Sequence, residues 1–359
     1  MRFLRGLLKM LGTLVLIVVI AVVGVLLWLT ATEYNPDATE SLAVTAGARH
    51  DEAAISKRYK LVTLNVGYGG LGREEDFFMD GGKRVGPKNQ QEVEDNLSSL
   101  MSALSMQNAD VCFLQETDTN SARSYAMNES AQFARGLSMG SVFAYNYRCA
   151  FVPMPWPPIG RVESGITTLS NLAVTDATRE SLPVPFSWPL RIANLKRCLL
   201  VERVPIQGSD KTLVLVNLHM EAYSSDEGRK AQMGVLGKLL ETERDKGNYV
   251  IAGGDFNQAF PGSLEKYPLP ANPSWVPGQL MEDELPDGFA YAFDANTPTC
   301  RALDKPYDGN RKGLVVYVID GFIVSSNVKV NSVETIDLNF RNTDHQPVAM
   351  EFTLQPAGV

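Results

Sequence analysis

The chain has 359 residues, 45% of them hydrophobic and 21% charged, enough for one large or two ordinary domains with a sizeable core. Its net charge of −8 becomes about −11 once the N-terminal cations Arg2, Arg5 and Lys9 are set aside, which argues against a broad electrostatic grip on nucleic acid but not against a local basic groove. The four cysteines, Cys112, Cys149, Cys198 and Cys300, form no CxxC pair, which argues against a zinc or redox motif and leaves open whether disulfides form.

The first element is Leu11–Leu29, an apolar run without a charge. At about 1.5 Å per residue it matches a bilayer core of ~30 Å. Arg2, Arg5 and Lys9 precede it and Glu33, Asp37 and Glu40 follow. The positive-inside bias therefore puts residues 1–10 in the cytoplasm and everything after residue 30 outside. A cleaved signal peptide would carry a shorter apolar stretch of about 7–15 residues closed by a small-residue site. The closing Leu26-Leu27-Trp28-Leu29 instead suits a transmembrane signal anchor over 11–29. Residues 30–57 mix Thr, Asn, Pro, Asp, Ala and Gly without periodicity and read as a tether, with His50 solvated.

Order begins at Tyr59–Val66, whose alternation and β-branching predict a strand. Gly67-Tyr68-Gly69-Gly70 ends it, in a loop that lacks the lysine and spacing of a P-loop. Lys88–Gln107 sets Val93, Leu97, Leu100, Met101 and Leu104 on one face and predicts a helix packed on a sheet. A strand over Val111–Leu114 carries Cys112 as a buried thiol and ends in Gln115-Glu116. A loop region rich in Ser, Arg and Asn follows, then Val142–Tyr145, a Pro-rich cluster around Trp156, and a strand over Gly165–Asn171. After a second Pro and aromatic cluster with Phe186 and Trp188, Cys198–Val204 and Thr212–Leu218 predict paired strands around a Gly208-Ser209-Asp210 turn, the second leading into His219. Asp226–Lys246 is helical, with Met233, Leu236 and Leu240 on one face and Gly247 as its stop. Val250–Asn257 is an apolar strand that two glycines, Gly253 and Gly254, turn sharply, and its Asp255 and Asn257 sit two residues apart to address one centre. Leu314–Ile319 delivers Asp320-Gly321, the loop Asn342–Pro347 carries Asp344 and His345, and Val348–Leu354 is the last strand. Strands alternate with two amphipathic helices and no interior break resembles a linker, so residues 58–355 read as one α/β domain of two packed sheets flanked by helices.

Asn65, Glu116, His219, Asp255, Asn257, Asp320, Asp344 and His345 all fall at strand ends. Singly, each reads as an ordinary cap, turn or surface residue. Together, with two of the chain's three histidines among them, they point to one shared site. Glutamate and asparagine oxygens are hard ligands that suit Mg²⁺ better than zinc. A histidine paired with an aspartate can hold a proton against a phosphoryl oxygen, and a second aspartate backed by an asparagine can deprotonate a water. These are the needs of phosphodiester or phosphomonoester hydrolysis.

Thr63-Leu64-Asn65-Val66, Leu114-Gln115-Glu116, Asn217-Leu218-His219, Gly254-Asp255-Phe256-Asn257, Ile319-Asp320-Gly321-Phe322-Ile323 and Thr343-Asp344-His345 resemble, in order, the motifs of the endonuclease/exonuclease/phosphatase superfamily. That superfamily includes DNase I-like nucleases, abasic-site endonucleases, neutral sphingomyelinases and inositol-polyphosphate 5-phosphatases. The resemblance implies a four-layer, DNase I-like α/β sandwich, here preceded by one transmembrane helix, with the site at one end of the two sheets. It implies Glu116 as the principal Mg²⁺ ligand (Mn²⁺ being a substitute), with Asn65 nearby and Asp344 completing the metal environment. It further implies Asp255 orienting or deprotonating the water, Asn257 on a phosphate oxygen, His345 on the phosphate and oriented by Asp320, and His219 as a second phosphate-facing histidine. Glu163 is the candidate to orient His219.

Two departures bear on substrate. DNase I-like members place an arginine where this chain has Asp118, and many members have a cation where this one has Ser170-Asn171. Arg73, Arg123, Arg148 and Arg161 are the candidates to replace it. A lipid head group is the favoured phosphate-ester substrate, because the anchor holds the domain at a bilayer and Trp156, Phe186 and Trp188 suit its interface. Extracellular nucleic acid, cleaved by an endonuclease, is disfavoured by the acidic balance and Asp118; a small phosphomonoester such as an inositol phosphate is a third reading. A catalytically inactive binding module on the same fold is the reading from another class. Loss of Glu116, Asp255 or His345 would have marked it, and all three are present. No protein partner is expected.

Overall fold

A computed structural model describes residues 2–356. Along the chain run α1 (Arg2–Ala31), β1 (Thr39–Ser41), β2 (Arg58–Asn65), α2 (Gln90–Gln107), β3 (Val111–Asp118), α3 (Glu129–Leu137), β4 (Gly140–Val152), β5 (Gly160–Ser170), β6 (Asp176–Ser181), β7 (Cys198–Pro205), β8 (Thr212–His219), α4 (Asp226–Asp245), β9 (Tyr249–Asp255), β10 (Phe289–Ala292), β11 (Asp320–Ser325), β12 (Val328–Thr335) and β13 (Val348–Leu354). One large sheet has seven strands in the order β1-β6-β7-β8-β9-β11-β10, a second has six in the order β12-β13-β2-β3-β5-β4, and two further two-stranded pairs lie in the connections.

Strand alternation divides the side chains between two interiors. Tyr59 and Leu61 of β2, Phe113 of β3, Leu215 of β8, Ile251 of β9 and Phe352 of β13 meet between the sheets. The intervening Val62, Leu64, Cys112 and Leu114 face outward onto α2 and α3. On the other sheet Val214, Val216, Val250 and Ala252 face α4 through Leu236 and Leu240. The result is a helix–sheet–sheet–helix sandwich, the expected four layers. Central strands covered on both faces carry unbroken apolar runs, which is why β8 and β9 stand out in the sequence. At the start of α2, the Asn89 side chain accepts from Glu92 N at 2.9 Å while Glu92 Oε2 accepts from Lys88 N at 3.1 Å, a reciprocal cap that begins the helix at Gln90.

Several expectations change. The Ser- and Asn-rich stretch expected as loop contains α3, capped by Asn128, whose side chain accepts from Ala131 N at 2.9 Å. At 9 residues, with Phe133 its one large buried side chain, α3 is too short to display a period. β4 spans 13 residues rather than the short Val142–Tyr145 strand. Asp320 opens β11 instead of following a strand. The double glycine does not turn the chain: β9 runs straight through it, with Gly253 paired to Phe322 and Gly254 to Gly321. A Cβ on Gly253 would lie 2.3 Å from the Phe322 ring, and one on Gly254 (φ 146°) would lie 1.9 Å from Leu218 O. Both glycines serve close strand packing. The four cysteines are buried free thiols.

α1 extends beyond the apolar run through residues 2–10 and contains a stretch of mean hydropathy 3.1, none of it buried, long and apolar enough to cross a membrane. The segment 30–57, expected as a free tether, is laid along the body. β1 pairs with β6, Asp51 bridges to Leu172, and Ala53 is fully buried against Ile206. An open sheet edge offers unpaired N–H and C=O groups, and this segment satisfies them. His50 is exposed, as expected.

Glu202 on β7 is fully buried between Leu200 and Val204, which face the inter-sheet core. Burial pushes its carboxyl up to about 8, with the Thr168 hydroxyl opposing. The fold therefore favours the protonated acid. Its ionisation cost is absent below the unfolded value near 4.5, grows as pH rises, and is complete above about 8. Glu202→Gln should melt progressively above the parent between about pH 4.5 and pH 8 and keep that advantage beyond, by up to about 5 kcal/mol. Melting temperatures that stay parallel across this range would show that the carboxyl ionises freely.

Candidate active site

Parallel pairing brings strand ends together. β2 and β3 run parallel with Asn65 opposite Gln115, and β8 and β9 run parallel with His219 opposite Asp255. β11 runs antiparallel to β9 and sets Asp320 opposite Asp255. His219, Asp255 and Asp320 thus form a row across three adjacent strands. The loop carrying Asp344 and His345 is fastened to β2 by the Thr343 hydroxyl, which donates to Asn65 O at 3.1 Å, and to the segment around Cys300 by a backbone bridge between Cys300 and His345.

The two sheets meet through buried amides. Gln115 Nε2 donates to Asn217 Oδ1 at 2.8 Å, and Asn217 Nδ2 donates to Thr167 O at 3.0 Å. At the rim, Asn65 Nδ2 donates to Asp255 Oδ2 at 3.0 Å and to Glu116 Oε1 at 3.1 Å, so one amide spaces carboxylates from opposite sheets. Its Oδ1 accepts from Gly67 N at 3.0 Å. Asn65, expected beside a metal, here orders the two carboxylates. Glu116 sits on backbone with φ 55°, where the β3–β5 pairing slips between Leu114 and Thr117. Such irregularities re-aim a side chain.

Asp255 is 1% exposed and accepts from Asn257 N at 2.9 Å. Burial pushes its carboxyl up to about 7, with the nearby His345 opposing and Asp320 adding to the rise. Asn257 turns one amide N–H to Met220 O at 2.9 Å, leaving its second for a ligand. His345 Nδ1 lies 2.9 Å from Asp320 Oδ2, and Nε2 lies 3.7 Å from Asp255 Oδ2. Burial would disfavour its imidazolium, but Asp320 and the carboxylates around it hold the ring's affinity for a proton well above the ordinary histidine value. His219 Nε2 lies 3.4 Å from Asp255 Oδ2. Burial, and then the charges of Arg197 and His345, push the proton affinity of His219 well below the ordinary histidine value. The two histidines of one pocket are thus driven in opposite directions.

Seven of the eight expected residues line one cavity of about 450 Å³, and Asp320 stands fully buried behind His345. The same cavity reveals residues the sequence pattern does not mark. Arg197 lines it, and Nη1 donates to His219 O at 3.1 Å. Asp118, standing where nucleases have an arginine, receives a two-pronged contact from Arg123 at 2.9 and 3.0 Å and so draws that cation into the wall, over the Tyr68 ring. Of the four candidate arginines only Arg123 lines the cavity. Arg161 binds Asn120 and Arg148 lies over Tyr145. Glu163 does not reach His219: its backbone bonds to Thr119 and Ser121 across the sheet edge. Tyr223 OH donates to Asp80 Oδ1 at 3.1 Å and links two loops of the rim.

Groups that could hold a metal ion are present. Asp255, Asp320 and His345 offer ligand atoms within 4.8 Å of one another, as do Cys300, Asp344 and His345. Burial, and the charge of Glu116 among other causes, push the Asp344 carboxyl up. The carboxylate oxygens of Glu116 and Asp344 line the same cavity and are of the kind that suits a hard divalent ion.

Two sheets whose strand ends deliver carboxylates, amides and histidines to one rim define a phosphoester hydrolase of the DNase I-like sandwich type. Residues 62–341 match the endonuclease/exonuclease/phosphatase family, to which this chain belongs, and it is accordingly a hydrolase of phosphoester bonds. Its fold is similar to an endonuclease/exonuclease/phosphatase from Beutenbergia cavernae (15% identity, TM-score 0.58, 84% of this chain and 72% of that one covered). It is also similar to a functionally unknown conserved protein from Enterococcus faecalis (15% identity, TM-score 0.52, 82% and 100% covered). A third similar structure is a family protein from Leptotrichia buccalis (14% identity, TM-score 0.50, 82% and 100% covered). No curated protein matches the sequence.

Proposed function

We propose that the chain is a membrane-anchored, Mg²⁺-dependent phosphodiesterase whose catalytic domain lies outside the cytoplasm. The observation that carries this reading is the convergence on Asp255: Asn65 reaches it from the other sheet, and both histidines stand beside it. Glu116 and Asp344 would hold the Mg²⁺, which supplies positive charge against the charge that develops on phosphoryl oxygens. Asp255 takes a proton from the attacking water, helped by a carboxyl whose affinity for a proton is raised to about 7. Asn65 and the Asn257 backbone N–H hold it in place as it does so. The water oxygen bonds to phosphorus while the ester P–O bond breaks, and the departing oxygen collects a proton from solvent. His345, its Nδ1 engaged by Asp320, presents a protonated Nε2 to a phosphoryl oxygen. Arg197 and Arg123 supply the cations that Ser170-Asn171 does not.

The test is metal removal from the full chain in detergent, assayed on bis-(p-nitrophenyl) phosphate. EDTA should abolish turnover by more than about 100-fold, and Mg²⁺, or less efficiently Mn²⁺, should restore it. Hydrolysis that survives EDTA overturns the metal-assisted reading. A chain inert on every phosphoester even with Mg²⁺ would leave the inactive binding module in its place.

A further inference from the structure

The C-terminal end of α1 is seated in the catalytic domain. Leu29 is buried among Cys149, Val152, Val162 and Ile192. The Trp188 indole N–H donates to Thr30 Oγ1 at 3.2 Å. One residue turn later the Glu33 carboxylate, 2% exposed, lies 3.0 Å from Lys196 Nζ and 3.2 Å from Arg191 Nε. A buried carboxylate held by two cations is costly to break, so the helix exit and the domain move as one unit.

This seat places two loops around the foot of the helix, 153–159 between β4 and β5, and 186–191. They expose Met154 (69%), Trp156 (85%), Trp188 (55%) and Leu190 (67%). Clustered apolar exposure of this kind marks an interaction surface, and tryptophan favours the bilayer interface. The active-site cavity opens to the same side. Val152, Ile159 and Ala193, which pack in the cluster around Leu29, also line the cavity, and Met154 and Leu190 belong both to its wall and to the exposed rim. Leu71, Phe77, Phe78 and Val85 also line the cavity. A polar floor with His219 and His345 thus lies under an apolar corridor that leads to the helix exit.

We infer that loops 153–159 and 186–191 dock on the outer face of the bilayer that α1 spans, and that the substrate is a phosphoester carrying a long apolar group, drawn from that surface with its tail along the corridor. This rests on the phosphodiesterase reading and names its substrate class. The occupant of the surface is lipid because the exposed patch is continuous with the membrane helix. A polynucleotide would look for a basic groove along its backbone, whereas the path from the cavity to the helix exit is lined by Val152, Met154, Ile159, Leu190 and Ala193.

The experiment reconstitutes the full chain in phosphatidylcholine vesicles with Mg²⁺ and compares hexadecyl with ethyl 4-nitrophenyl phosphate, which share their leaving group. The parent should show kcat/KM at least about 100-fold higher for the hexadecyl ester, since transfer of a long chain onto an apolar surface is strongly favourable. The double variant Trp156→Ser, Trp188→Ser should lose about 10-fold on the hexadecyl ester and keep its rate on the ethyl ester, because the loops touch the bilayer and not the reacting phosphate. Quenching of tryptophan fluorescence by brominated phosphatidylcholine should fall in the variant to what Trp28 leaves. Equal kcat/KM on both esters, an unchanged hexadecyl rate in the variant, or preferred cleavage of a single-stranded oligonucleotide overturns the inference while leaving the phosphodiesterase intact. A parent inert on both esters removes the phosphodiesterase reading and this inference with it.

Discussion

Asp255→Asn is expected to lower kcat on bis-(p-nitrophenyl) phosphate by roughly 10²–10⁴-fold, the size of contribution a positioned general base makes. The substitution is nearly isosteric and keeps the β9 pairing with His219 and Asp320. What it removes is the second carboxylate oxygen. Asp255 now accepts from Asn65 Nδ2 on one oxygen and from Asn257 N on the other. An amide at this position can satisfy only one of them and turns its own NH₂ toward the other donor, which adds about 1–3 kcal/mol of local destabilisation. Circular dichroism should remain that of the parent while turnover disappears. Asp320→Asn should cost less by itself and add little to the Asp255 variant, since residues that act as a unit are not additive. Activity within ten-fold of the parent would remove Asp255 from the role of base.

Gly254→Ala is expected to be the most damaging single methyl in the catalytic domain. Its Cβ would stand 1.9 Å from the Leu218 carbonyl oxygen and 3.2 Å from Gln115 Nε2, on backbone with φ 146°. The nearest obstacle is backbone, so no rotamer change relieves it. The strand must move, and with it the register that sets His219 beside Asp255 and the amide link between the sheets. A loss of more than about 4 kcal/mol and a fall in melting temperature on the order of 10 °C follow. Gly208→Ala is the control: its φ is 69°, yet a Cβ there meets nothing within 4 Å. It should cost only the backbone strain, about 1 kcal/mol. Equal losses in the two variants would mean that left-handed backbone, not the packing of β8 on β9, governs position 254.

The set of residues that the fold gathers at one cavity was largely legible because its members lie at the ends of strands that announce themselves. Leu213–Val216 and Val250–Ala252 are unbroken apolar runs, and the polar residues that follow each one, Asn217 and His219 or Asp255 and Asn257, are conspicuous. The metal-binding expectation for Glu116 rests on the same logic. The helices α2 and α4 were legible from their period, while α3 was hidden by its length and its polar composition. β12 escaped notice because its half-exposed face breaks the alternation. The acidic excess of the body did not foretell that three arginines, Arg123, Arg197 and Arg301, would line the cavity, because net charge carries no information about which cations fold inward.

The sequence by itself determined the length and apolarity of residues 11–29, enough to cross a membrane, the layered α/β class, and the identity of the residues at the strand ends. These are properties of local periodicity and of polarity against an apolar run, and each is written within a few neighbouring positions. Tertiary structure alone decided that segment 30–57 seals a sheet edge, that Asp118 draws in Arg123, that Arg197 stands behind His219, and that the helix exit locks onto Lys196 and Arg191. It also decided that Asn65 holds Asp255, a bond between residues 190 positions apart. Such contacts depend on the register and separation of two packed sheets, which no pattern of period two or 3.6 records.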